Sequence, residues 1–262
     1  MKPLKDILNE SLLNKSLLNE SLLDDEDELF DRNDKTLIEL WIKENYKIYG
    51  TLKIYEDKHG FVVDSNDKIK VTNKDIKSLT NGMFRWGSVA GKFDCAKCAE
   101  LISLEGAPNE CDSFDCSKCA GLRSLKGAPN ECIWFYCSEC TELRTLEGTP
   151  NECDGFDCSG CIKLTSLKGA PNECHGFKCS KCTGLISLEG APNECHYFDC
   201  FGCTELMTLE GAPKKCNDFN CTKCTGLISL KGAPKKCDYI ECNNCPNLII
   251  TDNERKKYKI RS

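Results

Sequence analysis

From Phe93 onward the apolar residues of this chain recur with a fixed period of 21. Each unit reads F-x-C-x-x-C-x-x-L-x-S/T-L-E/K-G-A-P-x-x-C-x-x. Seven full units begin at Phe93, Phe114, Phe135, Phe156, Phe177, Phe198 and Phe219, with a partial eighth at Ile240 and no insertion anywhere. A unit this short cannot bury its apolar side alone, but copies stacked on one another build a continuous core. The pattern therefore predicts a solenoid over 93–250, mainly β, with short parallel strands joined by irregular or 3-10 turns. Period-two alternation places a strand at 114–116, with Phe114 and Cys116 inward and Asp115 outward.

The flanking segments read as closures of that stack. Residues 36–46, "TLIELWIKENY", carry Leu37, Ile38, Leu40, Trp41 and Ile42 at helical spacing. "GTLKIYED" and "GFVVDS" alternate as two strands around Lys58-His59-Gly60. "KIKVTNKDIKSLTN" resembles a degenerate unit in which Ile76 and Leu79 stand for the paired leucines, and Trp86 is placed to plug the end of the core. Residues 35–92 are thus expected to form an N-terminal α+β cap, and 251–262 a C-terminal cap with a solvated basic tail. The first 34 residues hold N-E-S-L-L, N-K-S-L-L, N-E-S-L-L and an acidic run, "DDEDELFD". A period of five moves each leucine pair off the previous helical face, so a disordered tail, or a tandem docking peptide, is expected there.

Composition changes the picture in one respect: 23 of 262 residues are cysteine, all between Cys95 and Cys245. They fall into three columns, Cys95 to Cys242, Cys98 to Cys245 and Cys111 to Cys237, each on the 21-residue period. An odd total cannot pair completely within the chain. Glu10, Lys15 and Glu20 interrupt any apolar core of a leader sequence, so a cytoplasmic, thiol-reducing setting is expected. No apolar run approaches the ~20 residues of a membrane span. A net charge of −6 and a pI near 5.3 give no general attraction for nucleic acid.

Started at the third column, residues 111–122 read C-x-x-F-x-C-x-x-C-x-x-L. This resembles the leucine-rich repeat signature L-x-x-L-x-L-x-x-N/C-x-L, with Cys111, Phe114 and Cys116 on its apolar positions and Cys119 on its N/C position. Leu122 comes one residue late, as in short bacterial-type repeats, and the following L-x-S-L-x-x-x-P is similar to their second half. The F-x-C-S-x-x-x-L-T-S-L-E-G-A-P unit also resembles repeat proteins of large phages and gut bacteria. The resemblance covers residues 93 to about 250. It implies a right-handed coil stack, a concave strand face that binds partners, and cysteines that are core residues. Cys119 would then replace an asparagine that satisfies the main chain of its turn. A rival reading is a metal site. Cys116, Cys119, Cys137 and Cys140 form C-x2-C-x17-C-x2-C, a spacing compatible with zinc as cofactor. Disulfides are a third reading.

No phosphate loop, dinucleotide fingerprint or H-E-x-x-H motif is present, so no enzyme is expected. Candidate chemistry lies where the units differ, at outward strand positions and between the cysteines. These hold Trp134, Tyr136, Glu139, His175, Lys178, His196, Tyr197, Asp199, Phe201, Asn220 and Tyr239. Aromatic side chains on a polar surface are typical binding anchors. His175 and His196 occupy one repeat position in adjacent units and are placed to stack. The leading expectation is a scaffold for a protein partner, with no nucleic acid or membrane ligand and no cofactor. The alternatives are a thiol-rich metal-binding protein and a structural phage-associated component.

Overall fold

The structure, a computed structural model, describes residues 34–261. The expected tail with its S-L-L units lies outside the described residues. The chain divides into two compact units between Glu44 and Asn45. The described part of the first is helix α1 (Asp34–Asn45) up to Glu44, free of Gly and Pro, with Ile38 and Ile42 buried on one face and Lys43 in its last turn. Among the described residues no helix is long and apolar enough to cross a membrane.

The second unit is a β-solenoid. It opens with β1 (Tyr46–Ile48), the antiparallel hairpin β2 (Leu52–Asp57) and β3 (Gly60–Ser65), β4 (Ile69–Val71) and the long β5 (Arg85–Asp94). Seven strands of six residues follow: β6 (Glu110–Asp115), β7 (Glu131–Tyr136), β8 (Glu152–Asp157), β9 (Glu173–Lys178), β10 (Glu194–Asp199), β11 (Lys215–Asn220) and β12 (Lys236–Glu241). Helix α2 (Asp252–Lys257) and β13 (Lys259–Arg261) end it. From β4 to β13 each strand on the main path lies parallel to the next, in sequence order.

The register is that of the sequence repeat. Phe93, Phe114, Phe135, Phe156, Phe177, Phe198 and Phe219 lie one above another, fully buried. Their ring centroids are 5.1–5.7 Å apart and most neighbours are nearly coplanar. The two leucine columns, Leu101 to Leu227 and Leu104 to Leu230, fill the opposite side of the core. Connections are successive single turns closed by bonds such as Leu101 N–H to Cys98 O and Ala107 N–H to Leu104 O. In the G-A-P corner, Gly127 has φ +87°, and a Cβ there would stand 2.6 Å from Glu105 N of the preceding coil. Coil-to-coil main-chain contact therefore demands glycine on both counts.

The strands start earlier than alternation predicts. Pairing begins at Glu110 and Cys111, not at Phe114, and ends at Asp115, leaving Cys116 just past the strand. The third column is thus part of the sheet. In every coil the ladder skips the residue after the third cysteine. That local irregularity separates Cys111 from Phe114 by three residues while both still point inward.

The ends close as the flanking sequences suggest, with one difference. Ile69 of β4 is in register with Phe93, and Ile76 and Leu79 are buried, so 69–79 is a degenerate coil. Trp86 is buried against Tyr46, Phe84 and Phe93, and the Tyr46 hydroxyl donates to Leu79 O. At the other end, residues expected as a solvated tail are ordered. Thr251 and Glu254 form a reciprocal capping box that starts α2, Tyr258 is buried, and β13 pairs in parallel with β12. The apolar pair Ile240 and Ile260 lies in register and explains why this basic segment joins the sheet.

Candidate functional site

The irregularity after each third cysteine turns two consecutive residues outward. Side by side they form two surface columns on the strand face. One runs Asp112, Ile133, Asp154, His175, His196, Asn217, and the other Ser113, Trp134, Gly155, Gly176, Tyr197, Asp218, Tyr239. A third outward column follows each phenylalanine.

The second column contains a slot. Trp134 is 46% exposed, and its ring lies across the next coil over Gly155, where an added Cβ would stand 2.2 Å from Cε3. Beside it the place above Gly176 is open, with only Asp154 O within 4 Å of an added Cβ. Tyr197 stands on the coil after that. Trp134 and Tyr197 stand on strands three coils apart, roughly 14 Å at the ~4.8 Å strand spacing, and because the indole covers Gly155 the open place between the rings is the one at Gly176. Partial burial and the Asp199 carboxylate push the Tyr197 hydroxyl up to about 12, so it stays a hydrogen-bond donor at neutral pH.

The third outward column shows which coils depart from a structural role. Asp94, Asp115, Asp157, Asp199 and Asn220 each accept a hydrogen bond from the main-chain N–H two residues on, closing the turn after the strand. Asp199 and Asn220, candidates from sequence, are therefore turn-forming residues. Tyr136 and Lys178 replace that acceptor, and both flank the slot. Burial would raise the Asp115 carboxyl, but Lys92 at 2.6 Å and the Ser117 N–H outweigh it and hold it below its usual value.

The remaining candidates divide. His175 and His196 stack with centroids 5.0 Å apart and planes 4° apart, and His175 Nδ1 lies 3.2 Å from Asp154 Oδ1. Both border the slot. Glu139 sits in the turn between the cysteines at φ 56°, paired with Lys118 at 3.2 Å. Phe201 is half-buried with Lys223 Nζ 5.3 Å from its ring centre, and Tyr239 has Lys259 Nζ at 5.3 Å. Tyr197, Asn220 and Tyr239 line a separate hollow of about 210 Å³ with Asp218 and Glu241.

Sequence reasoning passed over two features of this face. One is the glycine pair Gly155 and Gly176, visible as two adjacent small residues between Trp134 and Tyr197 in a column that also holds Ser113, Asp218 and Tyr239. The other is a row of five glutamates, Glu110, Glu131, Glu152, Glu173 and Glu194, one per coil, followed by Lys215, which pairs with Glu194 at 3.2 Å, and by Lys236. Like charges at adjacent strand positions are unfavourable. The row borders a groove of about 810 Å³, lined also by Ile133, Asp154, His175 and His196, with Cys132, Cys153, Cys174 and Cys195 along it. A second hollow of about 750 Å³ shares Cys132, Ile133 and Glu152 and continues it toward Glu110.

The cysteine columns differ in chemistry. Second-column thiols from Cys119 to Cys224 are buried and donate to the main-chain carbonyl of the first-column cysteine one coil earlier. Cys119 reaches Cys95 O, Cys140 reaches Cys116 O and Cys161 reaches Cys137 O, each at 3.2 Å. The same bond recurs to Cys245. Burial raises the first-column thiols Cys116, Cys137 and Cys158 well above the ordinary thiol value and keeps them protonated. Of the zinc-spaced set, Cys116, Cys119, Cys137 and Cys140, two sulfurs therefore face carbonyls. All 23 cysteines are unbridged, and among the described residues no group of three or more Cys, His, Asp or Glu is arranged to hold a metal ion. Compared with known protein families, curated proteins and solved structures, the chain matches none.

Proposed function

We propose that this protein is a non-enzymatic scaffold that binds a partner protein along its strand face, at the slot between Trp134 and Tyr197. The observation that carries this reading is the exposed indole laid over Gly155 beside the open place at Gly176. A large aromatic side chain held flat on a polar surface costs hydration unless something covers it, and such anchors dominate binding energy in interfaces. The neighbouring glutamate row favours a partner segment that is extended and positively charged, one that meets several coils at once. Ile133 and His175 would contact its apolar and polar groups, and Lys178 and Tyr136 would border the far side.

The test is quantitative capture from the producing cells with three baits: the unaltered chain, Trp134→Ala and Gly155→Ala. The alanine at 155 displaces the indole without removing it. A partner retained in stoichiometric amount by the unaltered chain should fall at least tenfold with both variants, while their urea midpoints stay unchanged. Equal recovery with all three baits sinks the reading.

A further inference from the structure

The third cysteine column is set apart from the other two. Its sulfurs meet in pairs, Cys153 to Cys174 at 3.9 Å and Cys195 to Cys216 at 3.5 Å. Each pair lies directly opposite on adjacent parallel strands. The ~4.8 Å between such strands falls inside the ~4.4–6.8 Å Cα separation that a disulfide spans. In-register parallel strands hold Cβ atoms about as far apart as Cα atoms, so closing either bridge needs side-chain rotation and a small approach of the two coils. Cys153 is partly exposed; Cys174, Cys195 and Cys216 are buried, at 4%, 5% and 1% exposure, but Cys153, Cys174 and Cys195 line the groove beside the glutamate row and Cys216 does not.

We propose that Cys153 and Cys174 form an oxidisable pair that a small peroxide entering the groove converts to a disulfide between adjacent coils, with Cys195 and Cys216 a second, slower pair. The Cys174 thiolate attacks one peroxide oxygen; the O–O bond breaks, the sulfur becomes a sulfenic acid, and the other oxygen leaves as water after taking a proton. The Cys153 sulfur then attacks the sulfenic sulfur, the S–O bond breaks, and a second water departs with the Cys153 proton. Two thiols and one hydrogen peroxide give one disulfide and two waters, with sulfur oxidised and peroxide reduced.

The contacts suggest the order. The Cys174 thiol donates to Gly176 O at 3.0 Å, and its sulfur receives the longer, 3.9 Å hydrogen bond of the Cys153 thiol, so of the two sulfurs only Cys174 has a thiol donor when deprotonated. That hydrogen bond holds Cys174 below the ordinary thiol value against the opposing effect of burial, while the same contact and burial raise Cys153. The bridge would tie β8 to β9, the strands that carry Gly155 and Gly176, so oxidation would stiffen the floor of the slot. The chemistry does not depend on what binds there.

The full chain is purified under reductant, desalted and treated with hydrogen peroxide, then quenched at intervals by alkylation and mapped as peptides by mass spectrometry. The expected first product is a Cys153–Cys174 cross-linked peptide lacking two hydrogens, followed by Cys195–Cys216, with no cross-link from the second column. In Cys153→Ser, Cys174 should stop at a sulfenic acid trapped by dimedone. The proposal is overturned if Cys153 and Cys174 both stay alkylatable while the unpaired, half-exposed Cys237 is oxidised, or if the cross-links join separate molecules. Appearance of Cys195–Cys216 first overturns the order. The time course on the unaltered chain decides these outcomes even if the serine variant fails to fold.

Discussion

Replacing Cys161 by alanine isolates what a second-column thiol does. Its sulfur is buried and donates to Cys137 O at 3.2 Å. Losing one heavy atom of buried apolar volume costs about 0.8 kcal/mol in transfer. The space left, roughly 20–25 Å³, adds about 0.5 kcal/mol at the measured cost per unit of cavity volume. Stranding a buried carbonyl adds about 1–3 kcal/mol. The sum is about 2–4 kcal/mol, roughly 40–70% of it from the carbonyl. Cys161→Ser keeps a donor on a shorter arm and should lose only about 1–2 kcal/mol. Equilibrium urea unfolding, followed by circular dichroism with the m-value held as a check, reads both variants. Hydrogen exchange at Cys158 to Leu164 localises the effect. An alanine variant within about 0.5 kcal/mol of the unaltered chain, the range of an ordinary surface substitution, would refute the thiol–carbonyl ladder as a source of stability.

Two further outcomes follow from local geometry. Gly127→Ala should lower the urea midpoint more than Gly60→Ala, because both sites have positive φ but only Gly127 faces main-chain atoms, with Glu105 N at 2.6 Å. The shared dihedral cost is about 1–3 kcal/mol, and equal midpoints would show that the coils tolerate separation at the G-A-P corner. The Asp115 carboxyl is held below its usual value by Lys92 and the Ser117 N–H. Its contribution is therefore present above the unfolded carboxylate value of about 3.9 and is lost as pH falls through the lower folded value. Asp115→Asn should flatten the stability–pH curve in that acid window, and an unaltered curve would show that the pair adds nothing.

The solenoid was legible in the sequence because its cause is periodic. Phe114, Cys116, Leu122 and Leu125 repeat at 21 residues because the same inward positions must be filled in each coil. The residue after the second leucine runs Glu105, Lys126, Glu147, Lys168, Glu189, Glu210, Lys231, alternating in sign except at Glu189–Glu210, and ion pairs form at Lys126–Glu147, Lys168–Glu189 and Lys231–Glu210. Alternation misplaced the start of each strand. A period-two rule cannot register the skipped residue between Cys111 and Phe114, which only the neighbouring coil's hydrogen bonds define. The ordered C-terminal segment was hidden for a related reason: its five Lys and Arg dominate the composition, while Tyr258 and Ile260 do the docking.

The slot was half legible. Trp134, Tyr136, His175, Lys178, His196 and Tyr197 stand out as variable outward residues, and the structure brings them around one gap. Asp199 and Asn220 varied from their neighbours too, yet they close turns. Variation alone cannot separate these cases. The separating fact is whether the backbone needs the side chain: the strand-end column needs an acceptor two residues before an N–H, and Tyr136 and Lys178 abandon it. Gly155 and Gly176 are the reverse case, positions where the proposed slot depends on a missing side chain. The cysteines follow the same logic. A second-column position asks for something small, apolar and able to donate, and a thiol meets all three demands. The third column asks only for a small inward residue beside a groove. Its sulfurs at Cys153 and Cys174 meet as a pair along the groove, and under the oxidation proposed above the core thiols and the groove thiols of one repeat share a residue type without sharing a role.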